Sequence, residues 1–315
     1  MRFSTPGLIA LFALACSSEG PGGQDILEAT REGDQATVLQ ILEEDPETVN
    51  AVNEFQSTPL HIAVSQNHEA LVRDLLDHQA DPNLQDHGGH TPLHIAGMYG
   101  RQELVSLLLE HDVEVDLRDD YARTALLLVA RESGSEAAAR DLLSHGAEVD
   151  ALDRFGATSL NLAAWRGFEG VVNALLDHGA ALDPGGTGTG TLTEFAAQGG
   201  LDRLFRELVA AQADLGGRTA NGGSLLHAAS EGGSEEIVGT LLDRGLDVTE
   251  VDRYGWTPLH YAAERGREEV SEVLIARGAN VDASSHGGHT PLSVTETYGK
   301  ETVARLLEAR GATWA

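Results

Sequence analysis

Residues 254–263, Tyr-Gly-Trp-Thr-Pro-Leu-His-Tyr-Ala-Ala, recur along the chain in recognisable copies, each built around the position of Thr257. The anchors of these copies are Thr58, Thr91, Thr124, Thr158, Thr191, Ser224, Thr257 and Thr290, which lie 33, 33, 34, 33, 33, 33 and 33 residues apart. A fixed period of this length is typical of an array in which each unit stacks on its neighbours. The sequence therefore predicts about nine stacked units, of which the first lacks the anchor.

Each copy predicts two short helices. The threonine hydroxyl can cap the first helix, and the proline that often follows occupies the first helical position, where no N–H is needed. A glycine nine residues after the anchor, such as Gly266, ends this helix because it can adopt a positive φ. A second helix carries pairs of apolar residues at helical spacing, as in Val171-Val172 and Leu175-Leu176. A Gly-Ala pair, an extended stretch and a tight turn then complete the unit.

The period and the Thr-Pro-Leu-His-x-Ala core resemble ankyrin repeats over about residues 24–315. The copies at Thr58, Thr91 and Thr257 match the motif in full, and the others match in part. The resemblance implies an all-α ankyrin-repeat solenoid of helix–turn–helix units with a β-hairpin loop in each. The repeats would span about 24–53, 54–86, 87–119, 120–153, 154–186, 187–219, 220–252, 253–285 and 286–315. It also implies hydrogen bonds between repeats from His61, His94, His227 and His260.

The ends of the array and one irregularity carry further expectations. Residues 24–53 keep the repeat register through Val38 and Leu42 but are rich in charge, as expected of a terminal cap. At the other end, Glu308 replaces an apolar residue of the stripe and indicates the closing cap. The single extra residue near 131–135 is expected in the turn between the two helices of its repeat.

The N-terminus predicts export. Arg2 precedes a short apolar run, and Ala15 is a small residue directly before Cys16, so residues 1–15 are typical of a signal peptide. The junction resembles a bacterial lipobox, which implies that Cys16 is lipidated and that residues 16–23 form a flexible linker. We therefore expect a protein anchored in a Gram-negative envelope, on the outer membrane facing the periplasm. An ordinary cleaved signal, with a soluble periplasmic or secreted product, is the alternative.

The composition restricts the partners. The chain has 21 Lys and Arg against 50 Asp and Glu, a formal net charge of −29, and one cysteine. This charge disfavours nucleic acid, whose binding depends on phosphate neutralisation, and disfavours docking on anionic lipid. We expect a monomer that contacts the membrane only through its N-terminal lipid, with no disulfide within the chain and no cofactor.

Several motifs could carry chemistry. The glycine-rich run 185–190 resembles the phosphate loop of tubulin-like GTPases, but the repeat register assigns it to a loop tip. His87 with His90, and His286 with His289, flank turn glycines, and each pair alone is too few ligands for zinc. An envelope metal-binding or enzyme-accessory role for these histidines remains an alternative. The tip aspartates Asp86, Asp119, Asp153 and Asp252 are predicted to stabilise turns. No set of residues indicates catalysis.

The most informative residues lie where ankyrin repeats contact their partners. The resemblance implies a concave groove lined by the loop tips and by the exposed face of each first helix. Aromatic residues and arginines, which dominate interface hot spots, collect at these positions. The predicted partner-binding residues are Phe55, Tyr99, Tyr121, Arg123, Arg154, Phe155, Trp165, Arg166, Arg253, Tyr254, Trp256, Arg265 and Tyr298. Trp165 and Trp256 are both expected to face solvent. The sequence thus predicts a non-catalytic scaffold for a protein partner, with a purely structural spacer as the alternative.

Overall fold

The fold is taken from a computed structural model that describes residues 21–182 and 191–313. These residues contain eighteen α-helices in nine successive pairs and no β-strand. The all-α repeat architecture predicted from the sequence is confirmed. Cys16 and the glycine-rich run 185–190 lie outside the described residues. No helix within the described ranges is both long enough and apolar enough to cross a membrane.

The predicted β-hairpins do not form strands in the described ranges. Each tip is closed by a backbone hydrogen bond such as that from Asp119 N to Arg123 O, at 2.9 Å. Only one isolated bridge is present there, between Arg218 and Ser224. The loops are too short to form further hydrogen-bonded residue pairs, so the tips are tight turns.

The chain divides into two compact units. The first is Met1–Glu148 and the second is Val149–Ala315. The helices of the first unit are α1 Pro21–Glu32, α2 Gln35–Glu44, α3 Pro59–Gln66, α4 Glu69–Asp77, α5 Pro92–Tyr99, α6 Gln102–Leu109, α7 Ala125–Leu128 and α8 Glu136–Ser144. Those of the second are α9 Ser159–Arg166, α10 Glu169–Asp177, α11 Leu192–Gly199, α12 Asp202–Ala210, α13 Leu225–Gly232, α14 Glu235–Asp243, α15 Pro258–Arg265, α16 Glu268–Ala276, α17 Pro291–Tyr298 and α18 Glu301–Ala309.

The anchor residues cap the first helices as expected. In α3, the Thr58 hydroxyl accepts from His61 N at 3.4 Å, and His61 Nδ1 accepts from Thr58 N at 3.2 Å. This reciprocal capping box satisfies two donors that a helix start would otherwise leave unpaired. The helix ends at a left-handed residue, which is Asn67 here and Gly266 after α15, with φ of 63° and 71°. The predicted start and stop signals are confirmed.

The second helices bury the apolar stripe. In α10, Val171, Val172, Leu175 and Leu176 are all buried. The first helices approach one another closely because small residues face the neighbouring repeat. At Gly232 in α13, an added Cβ would lie 2.4 Å from the Ala197 carbonyl oxygen of α11. Stacking of consecutive repeats therefore forms the core within each of the two compact units, because each repeat contacts only its neighbours.

Both caps keep the stripe on their inner side. Val38 and Leu42 of α2 are buried, as are Val303 and Leu307 of α18, whereas Glu308 is exposed. The first and last repeats thus carry the buried residues that the sequence predicted for them. A short 3₁₀ turn, Pro46–Asn50, follows α2.

Two expectations about local structure are wrong. The predicted linker 16–23 reaches too far, because α1 begins at Pro21, and proline is well suited to the first turn of a helix. The extra residue of the fourth repeat lies within the helix and not in the turn after it. There α7 continues as a π-helical turn, Val129–Ser133, which ends at Gly134 with φ of 65°. Widening the last turn keeps Val129 and Ala130 buried and lets α8 start in register.

Candidate partner-binding site

The loop tips are shaped by their first carboxylate. In the tip that starts at Asp153, the Oδ1 atom accepts from Phe155 N at 2.8 Å and from Ala157 N at 2.9 Å. In the tip that starts at Asp252, the same atom accepts from Tyr254 N and Trp256 N, both at 2.9 Å. The Asp86 and Asp119 tips are built in the same way. The predicted turn role of these aspartates is confirmed.

Buried histidines join consecutive repeats. His227 Nε2 lies 3.1 Å from the Trp256 carbonyl oxygen, and His260 Nε2 lies 2.9 Å from that of His289. Because Nδ1 of each ring accepts the N–H of its helix-capping residue, the proton must be on Nε2 and is donated to the next repeat. Burial lowers the pKa of both rings and keeps them neutral. His61 and His94 make the same links in the first unit, so the predicted structural role is confirmed.

Seven of the eight predicted aromatic residues are exposed. Phe155 and Trp165 are the most open, at 64% and 56% of their full exposure. The others are Phe55, Tyr99, Tyr121, Tyr254 and Tyr298. Aromatic residues are among the side chains that dominate interface hot spots, so this set is a candidate interface.

Arginines lie over several of these rings. In the second unit, the Arg154 guanidinium is 4.9 Å from the centre of the Phe155 ring, and that of Arg253 is 5.7 Å from Tyr254. Arg166 lies 5.9 Å from Trp165 and 5.3 Å from Phe168. Such cation–π contacts hold the charge beside an apolar surface. In both tips, a flat ring and a cation therefore lie side by side.

Arg123 does not belong to the open site, contrary to the prediction. Its guanidinium binds Asp119 Oδ2 at 2.6 and 2.7 Å, and its side chain is only 12% exposed. Burial alone would raise the pKa of Asp119, but the hydrogen bonds from Arg123 outweigh it, and the pKa lies below its usual range. Arg123 thus locks its own tip and lies 4.6 Å from the Tyr121 ring. The sequence could not show that the two side chains meet.

Trp256 and Arg265 also make more contacts within the protein than the sequence suggested. Trp256 is only partly exposed, because its ring packs 5.3 Å from Tyr261 and 5.5 Å from His260. The expectation that it faces solvent in the same way as Trp165 is wrong. Arg265 pairs with Glu231 and lies 4.0 Å from Glu264, so acids offset its charge.

Two exposed aliphatic residues beside the tips were not predicted from the sequence. Leu152 and Val251 are each 49% exposed and directly precede the tip aspartates. The missed signal is the repeated pattern aliphatic-Asp-Arg-aromatic-Gly at residues 152–156 and 251–255. These two tips, with the adjoining helix ends, form what we call the Phe155 cluster (Leu152, Arg154, Phe155, Trp165 and Arg166) and the Trp256 cluster (Val251, Arg253, Tyr254, Trp256 and Arg265).

The tip histidines occupy different surroundings. His90 lies 3.3 Å from Asp86 and 3.6 Å from Asp119, whereas His286 and His289 are exposed. Across residues 21–182 and 191–313, no group of three or more His, Cys, Asp and Glu side chains is arranged to hold a metal ion. No observation on these residues favours the metal-binding alternative.

Comparison with known families agrees with the repeat geometry. A family model described as ankyrin repeats (3 copies) matches residues 26–119, 111–184 and 193–285. No curated protein matches the chain. Ankyrin repeats generally mediate protein–protein interaction, and proteins built from them are typically non-catalytic scaffolds. From its capped helix pairs, its histidine links and this match over most of its length, the chain belongs to the ankyrin-repeat family.

Proposed function

We propose that this protein is a non-catalytic scaffold that binds a protein partner through the tips and first helices of its second unit. The observation that carries the proposal is the pairing of exposed aromatic rings with arginines in the Phe155 and Trp256 clusters. A structural spacer has no need of such rings in water. Tyr298 extends this surface, while Phe55, Tyr99 and Tyr121 offer a further patch on the first unit.

The chemistry of the clusters indicates the kind of partner. Arginines concentrate at these tips although the chain as a whole carries a formal charge of −29. A guanidinium held over a ring can form paired hydrogen bonds to a carboxylate, so a protein surface with acidic and apolar groups is the best match. The rings would supply most of the affinity by burial, and the arginines would speed association at low salt.

The tips suit binding because hydrogen bonds already fix their shape. The Asp153 and Asp252 carboxylates each hold two backbone N–H groups of their own tip. Neighbouring tips are also tied, since His286 N donates to the Tyr254 carbonyl at 2.9 Å. A surface ordered in advance loses little conformational entropy when a partner docks.

Affinity capture tests the proposal. The purified full chain is immobilised and exposed to a bacterial envelope extract, and binding is measured as a function of extract concentration. We expect saturable capture of a protein that Phe155→Ala weakens. The matched control is Leu162→Met, a conservative change on the buried side of the same repeat. A structural spacer would retain nothing that saturates.

We further propose that the protein is exported and anchored by lipid on Cys16, in the outer membrane facing the periplasm. The pattern of residues 1–16 supports this location. One acyl chain anchors a protein only marginally, and stable attachment requires at least two chains or a second signal. If Cys16 is the lipidated residue, labelled palmitate should enter the wild-type protein expressed in a Gram-negative host and should not enter the Cys16→Ser variant. Equal labelling of both proteins would contradict the anchor and favour an ordinary cleaved signal.

A further inference from the structure

Tyr261 on α15 connects the tips of two consecutive repeats. Its hydroxyl donates to Asp252 Oδ2 at 2.8 Å and accepts from Asn221 Nδ2 at 3.3 Å. Asn221 lies in the preceding tip, and its carbonyl oxygen accepts from Arg253 N at 3.1 Å. One phenol therefore joins the carboxylate that shapes the Trp256 tip to the loop before it.

The same side chain supports the tryptophan. The Tyr261 and Trp256 rings lie 5.3 Å apart with their planes at 69°, an edge-to-face arrangement. The His227 ring packs on Tyr261 at 5.8 Å and 88°. Edge-to-face pairs contribute beyond their buried area because the positive edge of one ring meets the negative face of the other. Tyr261 thus limits the orientations open to the indole.

This arrangement is not part of the general repeat. The residue four positions after the anchor is Ile62, Ile95, Leu128, Leu162, Phe195, Ala228 or Val294 in the other copies. None of these side chains can donate a hydrogen bond to a tip carboxylate. Burial raises the pKa of Tyr261, and the Asp252 carboxylate raises it further, so the phenol keeps the proton that it donates.

We propose that Tyr261 is a positioning residue for partner binding, which fixes the 252–256 tip and the Trp256 indole as the principal anchor of the surface. This inference rests on the proposed function. In the Trp256 cluster, Asp252 is held at both oxygens and Trp256 packs on two rings before any partner arrives. Hot spots are aromatic residues that are already ordered in packed surroundings, and this cluster meets that description. The Phe155 cluster, which lacks an equivalent of Tyr261, would contribute adaptable contacts around it.

The first test needs no partner. Amide hydrogen exchange is measured on the full chain for Tyr254 and Trp256, whose N–H groups bind Asp252, and for Phe155 and Ala157, which bind Asp153. In Tyr261→Phe, which removes only the hydroxyl, the first two amides should exchange about fivefold faster, as expected for the loss of one hydrogen bond. The second pair should not change. Unchanged exchange at Tyr254 and Trp256, or equal acceleration at both tips, would overturn the local role.

The second test uses the protein that the wild-type full chain captures saturably from envelope extract. Tyr261→Phe should weaken its capture about three- to tenfold, and should add nothing in a Trp256→Ala background because both changes act on one anchor. The matched control Tyr298→Phe removes a hydroxyl from an exposed ring of the same surface. If adding Tyr261→Phe to the Trp256→Ala variant still weakened capture about three- to tenfold, the positioning role would be overturned. If the wild type captures nothing, the proposed function fails, while the exchange test still judges the fixing of the tip.

Discussion

The Phe155 and Trp256 clusters start from nearly the same five residues and end with different support. Residues 152–156 read Leu-Asp-Arg-Phe-Gly and residues 251–255 read Val-Asp-Arg-Tyr-Gly. Each has an exposed aliphatic residue, an aspartate that holds two N–H groups, and an arginine over an aromatic ring. The next residue differs, since Ala157 follows the first and Trp256 follows the second.

That difference extends into the helices. Behind the Phe155 tip, the helix carries Leu162, which packs as an ordinary core residue. Behind the Trp256 tip it carries Tyr261, which contacts the carboxylate, the tryptophan and the preceding loop. The comparison shows that exposure alone does not define an anchor. An aromatic residue binds best where neighbouring groups hold it in place, so the less exposed cluster is the stronger candidate.

The largest expected effect concerns the core beneath the Phe155 cluster. Leu175 of α10 is fully buried, so Leu175→Ala should lower the free energy of unfolding by about 2–5 kcal/mol. Phe155→Ala, in the same repeat, should change it by less than about 0.5 kcal/mol because that ring lies in water. Urea unfolding measures both. A loss below about 0.5 kcal/mol for Leu175→Ala would mean that the core does not lie along this stripe.

The two tryptophans should differ in stability. Trp256→Ala removes two ring contacts and should cost about 1–3 kcal/mol of unfolding free energy. Trp165→Ala should cost less than about 0.5 kcal/mol, since Trp165 is mostly in water. Thermal and urea unfolding of the two variants side by side provide the measurement. Equal losses would erase the distinction between the clusters.

Lowering the pH should destabilise helices α13 and α15, which lie beside Trp256, before helix α9, which follows the Phe155 tip. His227 and His260 flank Trp256, and burial lowers the pKa of both below the usual 6.5. Protonation then favours the unfolded chain, so their stability contribution is complete above about pH 6.5 and is lost as pH falls below it. Each group can remove at most about 1.4 kcal/mol per pH unit. The equivalent residue in α9 is Asn161, which accepts the Thr158 N–H at 3.2 Å and does not titrate.

Amide exchange at pH 7.5 and pH 5.5 measures this contrast. Helices α13 and α15 should lose protection at the lower pH while α9 changes little. The double variant His227→Gln with His260→Gln should flatten the response. Equal loss of protection in all three helices, or an unchanged response in the double variant, would assign the acid sensitivity to other groups.

The smallest effects are expected on the exposed acids of the second helices. Glu236 pairs with Arg206 at 3.0 Å with both side chains largely exposed, and Glu268 is exposed at the start of α16. Exposed ion pairs contribute about 0–1 kcal/mol. Glu236→Gln and Glu268→Gln should each change the unfolding free energy by less than about 0.5 kcal/mol, measured in urea. Larger losses would show that charges outside the two clusters stabilise the unit.

The sequence was sufficient for the helices that repeat, although the β-hairpins expected in each repeat are tight turns in the described ranges. Each anchor predicted a helix start, each glycine a helix end and each pair of apolar residues a buried stripe. Local sequence determines these features, and the same pattern occurs in successive repeats. The turn role of the tip aspartates could be predicted for the same reason, and the linking role of the histidines was implied by the resemblance to ankyrin repeats. The additional residue near 131–135 was placed in the wrong element, since a π turn and a longer loop differ only in how Val129 and Ala130 pack.

The site was harder to predict because it depends on contacts between side chains. Repeat position alone placed Arg123 and Arg265 in the open surface, yet carboxylates hold both. Repeat position also predicted that Trp165, on a first helix, and Trp256, at a loop tip, both face solvent. Trp256 is instead partly covered by His260 and by Tyr261, and the other copies carry an apolar residue at the Tyr261 position. Leu152 and Val251 were missed because a single aliphatic residue in a loop carries no signal by itself.

The most direct test of the account is the affinity of the captured partner for four variants of the full chain, measured under one set of conditions. Trp165→Ala and Trp256→Ala remove one ring from each cluster, and Glu236→Gln and Glu268→Gln are the matched surface controls. We predict that Trp256→Ala weakens binding by at least about 2 kcal/mol. Trp165→Ala should weaken it less, and the glutamine variants should bind as the wild type does. Full binding by both tryptophan variants, with loss in the glutamine variants, would contradict the account and place the partner on the acidic second-helix surface.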